Sequence, residues 1–179
     1  MVERYGERHR AYHNLNHVLD CLDRAAAVRS RLVAPGPVEL ALWYHDAIYD
    51  PYRSDNEERS AALAVEESTE LAFPQPVIDA VASLILATKH QGRPVDADCR
   101  YLVDIDLAIL AAPEAAYDAY ERAIRREYRW VPGPLYRSKR REVLRSFLER
   151  ERIYATDWFA GRFEAAARAN LAKAVSELA

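Results

Sequence analysis

Apolar residues recur at three- and four-residue spacings along most of the chain, and prolines and glycines fall between these periodic stretches, not inside them. No stretch alternates apolar and polar positions over several residues or is enriched in Val, Ile and Thr, so the pattern predicts an all-α protein. The first helix spans about residues 14 to 32, with Leu15, Leu19, Leu22 and Ala26 as its apolar stripe and "APGP" closing it. The second carries Pro37 in its first turn, where a missing N–H costs nothing, followed by Val38, Ala41, Leu42 and His45. Ser54 and Glu57, three apart, read as a capping box at the start of the third. "FPQPVIDAVASLILATKH" forms the fourth and ends near His90; the loop "QGRPVDAD" leads to the fifth, "CRYLVDIDLAILAA". Beyond Pro113 follow "EAAYDAYERAIRREY", "YRSKRREVLRSFLERERIY" and "AGRFEAAARANLAKAVSEL", the first two separated by Pro132, Gly133 and Pro134. The expectation is seven to eight helices in one domain over residues 1–179, since no repeat, low-complexity tract or linker suggests a cut.

Composition narrows the partners. The 179 residues carry 25 basic and 28 acidic side chains, net −3, so there is no global basic field for nucleic acid or an anionic membrane, and neither is expected as a partner. The longest apolar stretch, around "VASLILA", falls far short of the roughly 20 residues that span a bilayer. "MVERYGERHRAYHN" lacks the apolar core of a signal peptide, and two cysteines, Cys21 and Cys99, make neither a disulfide framework nor a zinc-type pair; a cytoplasmic protein is expected. One local basic cluster exists. Residues 121 to 150 hold ten basic side chains against four acidic, Arg140 and Arg141 among them, interleaved with Tyr128, Trp130 and Tyr136. This is either the solvated surface of two amphipathic helices or a rim that draws in a phosphorylated substrate; the aromatic residues suit base stacking, a core or a homodimer interface.

Helical phase singles out the chemistry. At about 100° per residue, Leu102 and Leu110 lie about 40° to either side of Asp106, with Val103 and Ile109 about 60° away, so Asp106 sits mid-stripe. Asp104 projects to the opposite side, where it is expected to be solvated. A buried carboxylate must be paired, hydrogen-bonded or bound to a metal. His45 falls among Ala41, Leu42, Ile48 and Tyr49 on the face to be buried, with Asp46 at its edge. Taken singly, His45 could be a core histidine bonded to a backbone carbonyl, and Asp106 the partner of an arginine. Their coincidence with Asp46 and His90 on helices sharing one small core favours a divalent transition metal. His13 and His17, four apart, lie opposite the Leu15/Leu19/Leu22 stripe, which places them facing solvent or lining a cleft.

The motifs "YHNLNHV", "WYHDAIYD", "DNEERSA", "ATKH" and "DIDLAIL" over residues 12 to 112 resemble the HD superfamily of metal-dependent phosphohydrolases, in particular its compact bacterial members. The resemblance implies a helical fold around a metal site, with residues 113–179 as appended C-terminal helices. It implies His17, His45, Asp46 and Asp106 as ligands of a divalent ion (Mn, Fe, Ni, Zn or Mg). It further implies hydrolysis of a small phosphoester, a nucleotide first among them. Asn56, Glu57 and Glu58 stand where a second-metal histidine would fall, so one ion is expected rather than two. Catalytic roles are expected for Asp46, Glu58 (orienting water), Lys89 and His90, and substrate contacts for His13, Asn56, Glu57, Arg140 and Arg141. A non-catalytic metal- or nucleotide-binding module and a di-iron oxygenase are the rival readings.

Overall fold

The structure is a computed structural model that describes residues 1–90 and 96–178; residues 91–95, most of the "QGRPVDAD" loop, lie outside the described residues. Among the described residues there are nine α-helices, two 3₁₀ turns and no strand, the all-α class that the sequence pattern predicts. The helices are α1 (Val2–Tyr5), α2 (Leu15–Val28), α3 (Pro35–Tyr44), α4 (Asn56–Glu70), α5 (Gln75–Ala87), α6 (Ala97–Asp106), α7 (Glu114–Glu127), α8 (Gly133–Leu148) and α9 (Asp157–Glu177); the 3₁₀ turns are Arg29–Arg31 and Leu107–Ala111. None of them is long and apolar enough to cross a membrane. The chain divides into two compact units, Met1–Asp106 and the residues from Leu107 onward.

In the first unit α5 packs on α3, α4 and α6, and α2 packs on α3 and α6. Val18, Val38, Ala41, Leu42, Ile85 and Leu102 are fully buried there. Truncating Leu42 or Leu102 to Ala should cost roughly 2–5 kcal/mol, the transfer loss plus a cavity. The start of α3 has no capping side chain of its own. Instead the Asp98 carboxylate, from α6, accepts the N–H groups of Val33 (2.8 Å) and Ala34 (2.7 Å), which ties α3 to α6 at the end remote from His45. At the other end of this unit's helical hairpin, α4 closes with a paired turn in which Phe73 N–H reaches the Ser68 carbonyl and Ala72 N–H that of Thr69. Ala72 sits at φ 55° in that turn, a position glycine usually fills.

Three sequence expectations fail in this unit for identifiable reasons. The buried stripe of α2 is His17, Val18, Cys21, Ala25 and Val28, whereas Leu19 is 45% exposed. The polar members of this stripe find partners across the packing, His17 with His45 and Asp106, so a reading by the leucine positions alone picks the wrong face. Ser54 does not cap α4: the helix starts at Asn56 after Asp55, which makes no side-chain cap and is instead forked by Arg53 (2.6 and 2.7 Å). Asp104 is fully buried, not solvated, since α6 is covered by α2, α3 and α5 and has no free face at that level.

In the second unit α9 packs on α8 and on the Leu107–Ala111 turn, which also meets α7. Tyr117, Leu144, Tyr154, Phe159 and Leu171 form its core. Asn170 of α9 donates to the Leu110 and Ala112 carbonyls (both 2.9 Å), and Tyr154 donates to that of Leu107 (3.2 Å), so the turn's orphan carbonyls are satisfied by side chains.

Candidate metal centre

α3 stops at Tyr44, and His45 caps it, its backbone N–H bonded to the Ala41 carbonyl (2.8 Å). The imidazole Nδ1–H donates to the Leu42 carbonyl (2.8 Å), which fixes the tautomer and leaves Nε2 pointing away from its own helix. The turn that follows is held by Arg10, whose side chain is fully buried. Its guanidinium donates to the carbonyls of Asp46 (2.7 Å), Ala47 (3.1 Å) and His13 (2.9 Å), pairs with Glu7 (2.9 Å), and lies over the rings of Tyr5 and Tyr49. Residues 7 to 14 are thereby fixed against the His45–Asp46 corner.

Four side chains converge at that corner. His45 Nε2 lies 3.1 Å from His17 Nε2 and 3.1 Å from Asp46 Oδ2. His17 Nε2 lies 3.5 Å from Asp46 Oδ2 and 3.2 Å from Asp106 Oδ1, and His45 Nε2 is 3.7 Å from that same oxygen. Donors bound at about 2.0–2.2 Å to one tetrahedral or octahedral ion stand roughly 3.0–3.5 Å apart, so one ion would match this spacing. Cys21, one turn beyond His17 on α2, brings Sγ to 3.8 and 3.9 Å from the two His17 nitrogens. His17, Cys21, His45 and Asp106 form a mostly buried group, with ligand atoms all within 4.8 Å of one another, that could hold a metal ion. The outer oxygen of Asp106, Oδ2, takes a hydrogen bond from His90 Nε2 (3.0 Å). His90 reaches it from φ 55°, a strained conformation just past the end of α5.

The electrostatics of the cluster call for positive charge. Burial opposes protonation of His45, but the Asp46 charge and hydrogen bond, then Asp106, outweigh it and push the imidazole up to about 9. Burial likewise works against ionising Asp46, yet His45, His13 and His17 hold it well below the usual carboxylate range. For Asp106, hydrogen bonds from His17 and His90 overcome burial with the same result. Burial, then the nearby Asp106 and Asp46 charges, push the Cys21 thiol well above its ordinary value. A divalent cation would reverse the preference at His45, since a ligating imidazole is neutral, and would keep both carboxylates ionised as ligands.

The remaining candidates are placed as follows. His13 precedes α2 and stacks on Tyr49 (4.3 Å between ring centroids), edge-on to His17 at 6.0 Å. Glu58 and Lys89 are hydrogen-bonded to each other. The Asn56 amide closes its own loop, accepting from Asp50 N–H and donating to the Asp50 carbonyl (both 3.0 Å), while Glu57 is half-buried in the first turn of α4. Arg140, in the second unit, is bonded to Glu121 (2.6 and 3.1 Å) and to the Tyr120 hydroxyl (3.0 Å); Arg141 is half-buried beside it in sequence. Three residues at the cluster escaped the sequence reading. Cys21 was findable, since a ligand at His17 puts residue 21 on the same helical face. Arg10, in the polar run "ERHRAYH", carries no signal of burial. Tyr12, its ring 4.7 Å from that of His17, carries none either. No known protein family, curated protein or solved structure matches the chain.

Proposed function

We propose that the chain is a metal-dependent phosphohydrolase of the HD type that acts on a small phosphoester, with nucleotides the first class to test. The observation that carries this reading is the convergence of His17, His45, Asp46 and Asp106, with the imidazoles 3.1–3.7 Å from each other and from the carboxylates, on the positions that the motif resemblance assigns. Those four side chains would hold one divalent ion. A second ion finds weaker support, because Asn56 is engaged by its loop and Glu58 by Lys89. When bound, the ion supplies Lewis acidity toward a phosphoryl oxygen and lowers the pKa of water toward neutrality. The chain's own part is to hold and to position. Asp46, held ionised by His45, His13 and His17, would hold the ion and could accept a hydrogen bond from the attacking water. His90 orients the Asp106 carboxylate through its outer oxygen, and the Leu42 carbonyl keeps the His45 lone pair directed inward.

The test is elemental analysis of protein purified without chelators, joined to turnover of a phosphomonoester panel, nucleoside monophosphates included, with Mn²⁺, Fe²⁺, Ni²⁺, Zn²⁺ or Mg²⁺. About one ion per chain and turnover abolished by Asp46→Ala are expected. Bound metal with no turnover of any phosphoester would move the protein to the non-catalytic metal-binding class. Two irons with oxygen consumption would move it to the oxygenases.

A further inference from the structure

A cavity of about 530 Å³ opens in the first unit beside the segment that follows Asp46, lined in part by Ala47, Ile48 and Pro51. Its size falls in the range of roughly 300–1,000 Å³ typical of small-molecule sites. None of the cluster residues His17, Cys21, His45, Asp46, His90 or Asp106 lines it. Four charged side chains that do are Arg4, Arg59, Glu7 and Asp50, and their commitments differ by sign. Glu7 is taken by the buried Arg10 (2.9 Å), and Asp50 Oδ1 accepts the Tyr52 N–H (2.9 Å). Asp55, four residues before Arg59, is forked by Arg53. Among the described residues neither Arg4 nor Arg59 spends its guanidinium on a hydrogen bond or ion pair. Two arginines without a partner side chain are thus left to face a cavity in which Glu7 is paired with Arg10 and Asp50 accepts a backbone N–H. Tyr52, also lining it, is 68% exposed.

We propose that this cavity binds a small organic phosphate carrying a planar ring, the phosphate held by Arg4 and Arg59 and the ring stacked on Tyr52. Two guanidinium groups suit a phosphate because each presents parallel N–H donors to its oxygens, and an exposed tyrosine suits a base because stacking needs only a flat face. The inference is independent of the metal-centre reading, since the two sites share no side chain.

The experiment is calorimetric titration of the full chain in the presence of a chelator, so that the cluster contributes no metal, with AMP, ribose 5-phosphate and inorganic phosphate as probes. AMP is expected to bind, ribose 5-phosphate more weakly and inorganic phosphate least. Arg4→Gln with Arg59→Gln should weaken AMP binding at least about tenfold, the loss of a charge-assisted hydrogen bond. Tyr52→Ala should weaken AMP but leave ribose 5-phosphate unchanged, and Asp46→Ala should alter none of the three. Should the double variant prove unfolded by its melting curve, Arg59→Gln alone, at an exposed position on α4, carries the same expectation. AMP affinity unchanged by the arginine substitutions, or no AMP binding at millimolar concentration, would overturn the proposal. So would AMP binding lost in Asp46→Ala and kept in the arginine variants; that result would place the ligand at the cluster and leave the metal reading standing.

Discussion

Each unit buries a group of charged side chains, and the two groups are put together differently. In the second unit one cation meets one anion: Arg140 donates to both oxygens of Glu121 and to the Tyr120 hydroxyl, and Tyr117 donates a further bond to Glu121 (3.0 Å). The group is closed. In the first unit two carboxylates, Asp46 and Asp106, face His17 and His45, and the one N–H that neutral His45 possesses is already given to the Leu42 carbonyl. The Nε2 lone pair of His45 then faces the Asp46 and Asp106 carboxylates across 3.1–3.7 Å, and one N–H on His17 Nε2 cannot serve all three, so the arrangement needs a cation from outside or a proton from solution. What separates a structural ion pair from a ligand set is therefore the balance of donors, which burial alone does not reveal.

The largest effect expected from this contrast is on metal content. His45→Ala or Asp106→Ala should reduce affinity by more than the roughly 10–100-fold that follows loss of an outer partner, read by elemental analysis and by metal titration of chelated protein. The mirror experiment lies in the second unit. Arg140→Met should leave metal content untouched but strand Glu121, costing about 3–5 kcal/mol in denaturant unfolding, while the double replacement Arg140→Met/Glu121→Leu should recover most of that loss. If Arg140→Met lowered metal content, the two groups would not be separate.

The pH dependence sharpens the same contrast. His45 is raised from 6.5 to about 9, so in metal-free protein its contribution is fully present below about pH 6.5 and is lost as pH rises through 9, on the order of 3 kcal/mol in all. Metal binding has the opposite sign, because the ion requires the neutral imidazole. The melting temperature of chelated protein should fall between pH 6.5 and 9, and that of metal-loaded protein should hold or rise. Arg140, held charged well above its ordinary value by Tyr120 and Glu121 against the cost of burial, adds nothing in that window. A flat curve for chelated protein would show that no buried imidazole titrates there.

How far the sequence foretold these groups depends on what kind of fact each residue embodies. Asp106 and His45 were legible because an ionisable residue inside an apolar helical stripe is anomalous by itself. His17 was legible only through its motif: the buried stripe of α2 is His17, Val18, Cys21, Ala25 and Val28, and the leucines that define a hydrophobic face lie off it. Arg10 and the Asp98 cap are long-range facts, joining residues 36 and 64 or more positions apart, which no local pattern encodes. Asp104 was misjudged because phase tells which residues share a face, not how many faces a helix has covered. With Asp104 fully buried, Asp104→Ala should cost about 1–3 kcal/mol in unfolding, by stranding its partners, and leave metal stoichiometry unchanged. Loss of metal in that variant would extend the cluster by one residue.

The smallest predicted effect compares two residues within the first unit that share one backbone conformation. Ala72 and His90 both lie at φ 55°, each just beyond a helix end. The left-handed region costs a non-glycine residue roughly 1–2 kcal/mol, and only His90 returns something for it, the bond to Asp106 Oδ2. Ala72 merely completes the closing turn of α4. Ala72→Gly relieves the folded state but adds freedom to the unfolded chain, so the net gain should be at most about 1 kcal/mol, seen as a small rise in melting temperature with metal affinity unchanged. His90→Gly relieves the same strain but removes a donor that offsets the burial of the Asp106 carboxylate, so it should not share the gain of Ala72→Gly when chelated, and it should bind metal more weakly because Asp106 loses its orienting donor. If both substitutions raised stability alike and neither touched metal affinity, the strain at His90 would serve only to end a helix, and its place beside Asp106 would have no bearing on the site.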